Sequence, residues 1–162
     1  MSFTVTTRHL GDFDVIVSGG GIAGTFAAAS AAREGGKVLL IEANGCLGGT
    51  LTTGAVPSIM DEVGKGGMLS ELFSFLNERG MSVARFGKKI DENGKKIPGR
   101  IVDIEGCKFF LEHLVLNAGG QILYYSRVAG CETEDRQLKR LLICTEAGNY
   151  TATAKIYIDA TG

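Results

Sequence analysis

The chain has 162 residues, 44% of them hydrophobic, with a formal net charge of −1 and a mean hydropathy of +0.14. That length suits one domain with a proper core, and the near-neutral balance offers no positive field for nucleic acid or an acidic membrane surface. The opening MSFTVTTRHLGDFD has no apolar signal core and no stretch reaches a membrane span, so a cytoplasmic protein without a membrane partner is expected. Glycine is the outlier at 24 residues, about twice its usual share. Such an excess suits a ligand held largely by main chain. Cys46, Cys107, Cys131 and Cys144 are scattered without a CxxC pair or histidines at ligand spacing, so four reduced thiols and no metal site are expected.

In chain order, residues 13–18 (FDVIVS) form a short apolar, β-branched run that reads as a buried parallel strand. Residues 22–34 (IAGTFAAASAARE) favour a helix through their alanines, and Gly35-Gly36 stops it. Residues 37–42 (KVLLIE) give a second buried strand, completing a tight βαβ unit. A glycine-rich loop then runs from 43 to about 67. Leu69, Leu72, Phe73 and Leu76 fall on one face of a helix over 68–79, which Gly80 ends. Residues 81–100 turn polar and basic around the turn sequence Asp91-Glu92-Asn93-Gly94, a hairpin tip. A third helix is predicted from about 103 to 118, with Ile104, Cys107, Leu111, Leu114, Val115 and Ala118 inward. Strands follow at 121–125, 127–133, 138–145 and 150–153, the last three as an antiparallel meander. Residues 155–159 (KIYID) read as a separate return to the main sheet.

Gly19, Gly21 and Gly24 form a G-x-G-x-x-G that follows a predicted strand, opens a helix and is succeeded by Glu42 at the next strand's end. Gly19 permits the tight turn, Gly21 lets a pyrophosphate approach the backbone, and Gly24 lets helix and strand pack closely. The free N–H groups and positive dipole end at the helix start favour a diphosphate. Glu42 would accept hydrogen bonds from the adenosine ribose, and its charge would repel a 2′-phosphate, which disfavours NADP.

The same fingerprint serves FAD and NAD. Two features favour FAD. About twenty-five residues separate Glu42 from the next helix, where an NAD domain usually needs only a few. The connection into the closing strand is also a meander rather than a helix.

DVIVSGGGIAGTFAAASAAREGGKVLLIE, then GCLGGTLTTG, then IYIDATG resemble the FAD-dependent oxidoreductases of the glutathione-reductase structural class, over residues 14–162. The resemblance implies an α/β, Rossmann-like FAD-binding domain with a parallel sheet, packed helices and a small antiparallel β-meander. It implies pyrophosphate contacts from Gly19, Gly21, Ile22, Ala23 and Gly24, and ribose contacts from Glu42. Gly48, Gly49 and Thr50 would lie along the phosphate and ribityl part, Val128 beside the adenine, and Ala160, Thr161 and Gly162 under the pyrophosphate.

Two departures matter. LTTGAVPS carries no cysteine where the disulfide reductases of this class place a redox pair, so thiol–disulfide chemistry of that type is not expected. Family members also continue beyond the ATG motif into a substrate domain and a late strand–helix segment. Residues 1–162 are therefore expected to form one FAD-binding domain lacking the C-terminal part of the usual fold. It would be a fragment, or a chain completed by self-association or a partner. The expected activity is hydride or electron-pair transfer between non-covalently held FAD and an unidentified small-molecule substrate. A non-catalytic nucleotide-binding or interaction module, and an NAD-dependent dehydrogenase domain, are the alternatives.

Cys46 lies in the loop expected near the cofactor but has no neighbouring cation in sequence to activate it. His113 is expected to be a solvated surface residue, and His9 has no visible partner. Lys88, Lys89, Lys95, Lys96 and Arg100 read as the solvated face of a hairpin, with recruitment of an anionic substrate as the sharper reading.

Overall fold

The computed structural model describes residues 4–60, 64–90, 92–94 and 96–162, with the side chains of 86–90 and 96–98 left aside. The elements in order are β1 (Thr7–Ser18), α1 (Ile22–Arg33), β2 (Val38–Ile41), a one-turn 3-10 helix (Gly49–Leu51) and β3 (Ser58–Met60). There follow α2 (Met68–Glu78), β4 (Ser82–Ile90), β5 (Lys96–Val102), α3 (Ile104–Asn117), β6 (Gln121–Leu123), β7 (Ser126–Glu134), β8 (Gln137–Thr145) and β9 (Gly148–Asp159).

The main sheet has six strands in the order β6-β2-β1-β9-β8-β7. The first four run parallel, and β8 and β7 add to β9 antiparallel. One face carries α1 and α3 over Val15, Val17, Val38 and Leu40, with Ala28, Ala29, Ala32, Leu111, Leu114 and Val115 in the seam. The alanine-rich face of α1 lets it lie close to the strands; Ala28 and Ala29 are fully buried. On the other face Phe13, Ile16, Leu39 and Ile41 pack against Leu141, Ile143 and Ala152 of the meander. The alternation along β1 and β2 thus feeds two cores, as expected of strands covered on both sides.

A third cluster joins Leu72 and Leu76 of α2 to Cys107 of α3, Val102 and Leu51. It ties the helices to a small antiparallel sheet, ordered β3-β5-β4. Asp103 caps α3 by accepting the Gly106 N–H at 2.7 Å, satisfying one of the free donors of the helix's first turn.

The observed elements depart from the sequence reading in three places. β1 begins at Thr7 rather than at residue 13, because Thr7–Asp12 pairs with β9 across a bulge between His9 and Gly11. This polar stretch carries no hydrophobic pattern to announce a strand. The strands expected at 150–153 and 155–159 are one continuous β9, paired with β1 along its length. β8 follows β9 only as far as Ala152. Where they part, the Tyr157 hydroxyl accepts the Ala154 N–H (2.8 Å) and donates to the Lys139 carbonyl (3.0 Å), satisfying both groups left behind by the fork. Finally, β3 lies inside what reads as loop, its three residues being too few to show a period.

Among the described residues no helix is long and apolar enough to cross a membrane. The side chains of Lys88, Lys89, Lys95 and Lys96 lie outside the described residues. Arg100 sits over the Phe73 ring at 4.8 Å and donates to Asn77 Oδ1 at 2.6 Å.

Candidate functional site

β1 ends at Ser18, and the chain must reverse at once into α1. Gly19 makes that turn at φ +99°, and its N–H donates to the Ile41 carbonyl of β2 at 2.8 Å. A β-carbon on Gly19 would stand 2.4 Å from the Ala160 carbonyl oxygen. Gly24 is tighter still: its β-carbon would stand 1.8 Å from the Gly19 carbonyl oxygen and 3.1 Å from the Ala160 β-carbon. Both positions exclude side chains on packing grounds.

Gly21 differs. It is the N-cap of α1, at φ −63° and ψ 179°, a backbone conformation open to any residue. A β-carbon there would meet nothing within 4 Å. The helix it opens has no side-chain cap and no acidic residue in its first turn. Its first N–H groups, those of Ile22, Ala23 and Gly24, therefore receive no side-chain cap.

Glu42 follows β2 and is 5% exposed. Its Oε2 accepts the Gly20 N–H at 2.6 Å, and Oε1 accepts the Asn44 N–H and Nδ2, both at 2.7 Å. A buried carboxylate requires such donors. Gly20 belongs to the site on this account, since a β-carbon there would lie 2.8 Å from Glu42 Oε2 and 2.6 Å from Leu47 Cδ2. Neither Gly20 nor Asn44 is among the residues singled out from the sequence; the available signal was only their closeness to the fingerprint.

A cleft of about 820 Å³ opens beside the turn. Gly19, Gly21, Glu42, Gly49, Thr50, Val128, Ala160, Thr161 and Gly162 line it, together with Asn44. Its inner wall is apolar, formed by Ile16, Ile41, Leu138, Leu141 and Tyr157. Ile22, Ala23 and Gly24, in the first turn of α1, do not line it. Gly48 stands apart from it. At φ +111° it opens the 3-10 helix, its N–H donates to the Gly20 carbonyl at 2.8 Å, and a β-carbon would strike Thr52 at 2.6 Å. Gly49 approaches Gly21 so closely that its β-carbon would lie 3.2 Å from the Gly21 Cα. The loop after β2 is thus folded back onto the glycine turn.

At the end of β9 the Ala160 N–H donates to the Ser18 carbonyl at 2.8 Å, seating the ATG segment against the turn. The Thr161 hydroxyl (2.7 Å) and N–H (3.1 Å) donate to Asp159 Oδ1, which holds that carboxyl below its ordinary range.

The remaining candidates fall elsewhere. Cys46 is half-buried, with Sγ 3.4 Å from Thr53 Oγ1, and does not line the cleft. Cys107 is buried against α2, where desolvation and then Asp103 push its thiol up to about 12. His113 is not simply solvated: it is half-buried, stacked on Phe109 at 3.9 Å, with Nδ1 2.9 Å from the Phe109 carbonyl. His9 has partners after all: Asp12, three residues on in the same strand, at 3.2 Å, and Thr151, brought to it by the β1–β9 pairing, at 3.4 Å. Tyr124 donates to Glu112 Oε2 at 2.7 Å, and burial followed by that carboxylate pushes the phenol well above its usual value. Among the described residues no three His, Cys, Asp or Glu side chains come together as a metal site.

The family model described as FAD dependent oxidoreductase matches residues 14–162. A digeranylgeranylglycerophospholipid reductase from Methanococcus aeolicus is 33% identical over 158 residues, covering 93% of this chain and 38% of the relative. Among solved structures, a geranylgeranyl bacteriochlorophyll reductase-like protein from Thermoplasma acidophilum superposes with a TM-score of 0.66 at 23% identity, over 93% of this chain and 39% of that one. An anhydrotetracycline hydroxylase from Streptomyces rimosus superposes with a TM-score of 0.69 at 14% identity, over 93% and 32% respectively. The chain spans about two fifths of the length of the first two. These likenesses share the architecture built above, and the family match decides between the two cofactors that the fingerprint alone leaves open. The chain belongs to the FAD-dependent oxidoreductase family, and its cofactor is FAD.

Proposed function

We propose that residues 1–162 form the unit that holds the ADP half of FAD for an oxidoreductase acting on a small molecule. The observation that carries this reading is the contrast within one turn. Gly19 and Gly24 are filled by protein, while the space over Gly21 is open and lies on the cleft. An empty position above uncapped helix N–H groups is where a diphosphate fits, drawn by the donors and the positive end of the α1 dipole. Ile22, Ala23 and Gly24 supply those donors, Gly49 and Thr50 border the same space, and Ala160, Thr161 and Gly162 close it from the β9 side.

Glu42 takes the adenosine ribose, and the backbone around Val128 meets the adenine against the apolar wall of Ile41 and Leu141. When bound, the flavin supplies the chemistry, accepting or delivering a hydride or an electron pair. The chain's own part is to bind, orient and desolvate the cofactor's nucleotide end. The likeness to a digeranylgeranylglycerophospholipid reductase supports electron flow from flavin to substrate in the whole protein.

The test is Glu42→Ala. Losing a charge-assisted hydrogen bond to the ribose should weaken FAD and ADP alike, by about 1–3 kcal/mol, as read by calorimetric titration. Unchanged ADP affinity would contradict the ribose assignment.

A further inference from the structure

Glu42 is nearly saturated before any ligand arrives. A carboxylate offers about four lone-pair sites. Three are used from within the chain: Gly20 N–H on Oε2, and Asn44 N–H and Nδ2 on Oε1. One acceptor site remains, on Oε2, whereas a ribose brings two hydroxyls.

The second acceptor lies on Asn44. Its side chain must turn Nδ2 toward Glu42, because the carboxylate has only acceptors to offer. That orientation fixes the carbonyl oxygen Oδ1 on the opposite branch of the amide. Oδ1 has no partner among the described residues, and Asn44 is half-buried and lines the cleft beside Glu42. The loop is braced from the far side, since the Tyr125 N–H donates to the Asn44 carbonyl at 3.3 Å and the Ser126 N–H donates to the Glu42 carbonyl at 2.9 Å.

We infer that Asn44 is a second ribose-binding residue: Glu42 Oε2 accepts from one ribose hydroxyl, and Asn44 Oδ1 accepts from the other. This rests on the proposal that the ribose meets Glu42, and it adds a specificity element two residues further on. The pair reads the vicinal diol as a unit, with one charged and one neutral acceptor. A ligand lacking either hydroxyl leaves one acceptor without its donor.

The experiment uses ADP, 2′-deoxyADP and 3′-deoxyADP as probes, titrated into the whole chain and into Asn44→Ala, Asn44→Ser and Glu42→Ala. The parent chain should favour ADP over each deoxy analogue, by roughly 5–10-fold where the hydroxyl faces the neutral acceptor. Both Asn44 variants should lose one of the two preferences and keep the other, and unchanged thermal melting should accompany that change. Glu42→Ala should lose at least the preference that the Asn44 variants keep. If the Asn44 variants keep both preferences, or weaken all three ligands by one common factor, Asn44 makes no ribose contact and the inference is overturned. Glu42→Ala binding all three probes like the parent chain would overturn the underlying ribose proposal itself, a result distinct from either of those.

Discussion

A β-carbon on Gly24 would lie 1.8 Å from a backbone oxygen, whereas one on Gly21 would meet nothing within 4 Å. The two substitutions should therefore separate stability from binding. Gly24→Ala gains roughly 1 kcal/mol of helix propensity, but the overlap is with main chain, and forcing it costs about 1–3 kcal/mol or more. The clash wins, so a lowered midpoint in thermal unfolding is expected. Gly21→Val should cost less than about 1 kcal/mol, the scale of a poorer N-cap, while placing a side chain where the diphosphate would sit. Near-normal melting with FAD and ADP binding lost is the expected result; retained ADP binding would contradict the placement. At this scale the sequence exposed the residues whose role is built into a spacing: Gly19, Gly21, Gly24 and Glu42. Gly20 and Asn44 stayed hidden because their roles come from hydrogen bonds that exist only once the 42–52 loop folds back on the turn.

At the scale of elements, α1 and α2 are joined by a two-pronged contact, Arg33 Nη1 and Nη2 to the Glu71 carboxylate at 2.8 and 2.7 Å. Both side chains are over two fifths exposed, so the pair contributes no more than about 1 kcal/mol. The Arg33 hydrogen bonds lower the Glu71 pKa below its ordinary 4.5. A group depressed in the folded state stabilises above its unfolded pKa and loses that contribution as pH falls through the folded value. Glu71→Ala should consequently cost a few tenths of a kcal/mol at neutral pH. That cost should vanish in acid below the usual glutamate range, and a cost that persists there would contradict the pairing. The α2–α3 seam makes a second prediction. Cys107 is fully buried with its thiol raised to about 12, so it should resist thiol reagents until the chain unfolds, while exposed Cys131 reacts in the native state. Fast labelling of Cys107 would show that the seam opens. The helices were legible because α1 is rich in helix-favouring alanines, α2 and α3 place apolar residues at helical spacing, and each has an end signal, Gly35, Gly80 or Gly119. The start of β1 and the whole of β3 were not, since polar Thr7–Asp12 and three-residue Ser58–Met60 become strands only through distant partners, β9 and β5.

Across the whole molecule, two cores on opposite faces of one sheet hold three segments against each other: the turn after β1, the loop after β2 and the end of β9. These segments are far apart in sequence, and the parallel order β2-β1-β9 brings their C-terminal ends to one edge, where α/β sheets bind ligands. The cleft at that edge has an open glycine, uncapped helix N–H groups and an apolar wall, which together suit a nucleotide with a diphosphate. The most direct measurement is a visible absorption spectrum of the purified chain after incubation with FAD and gel filtration. FAD held through its ADP half should leave retained flavin bands at roughly 370 and 450 nm, a property of the cofactor itself, displaced by excess ADP. A colourless protein that binds neither FAD nor ADP, or one that takes up NAD instead, would contradict it.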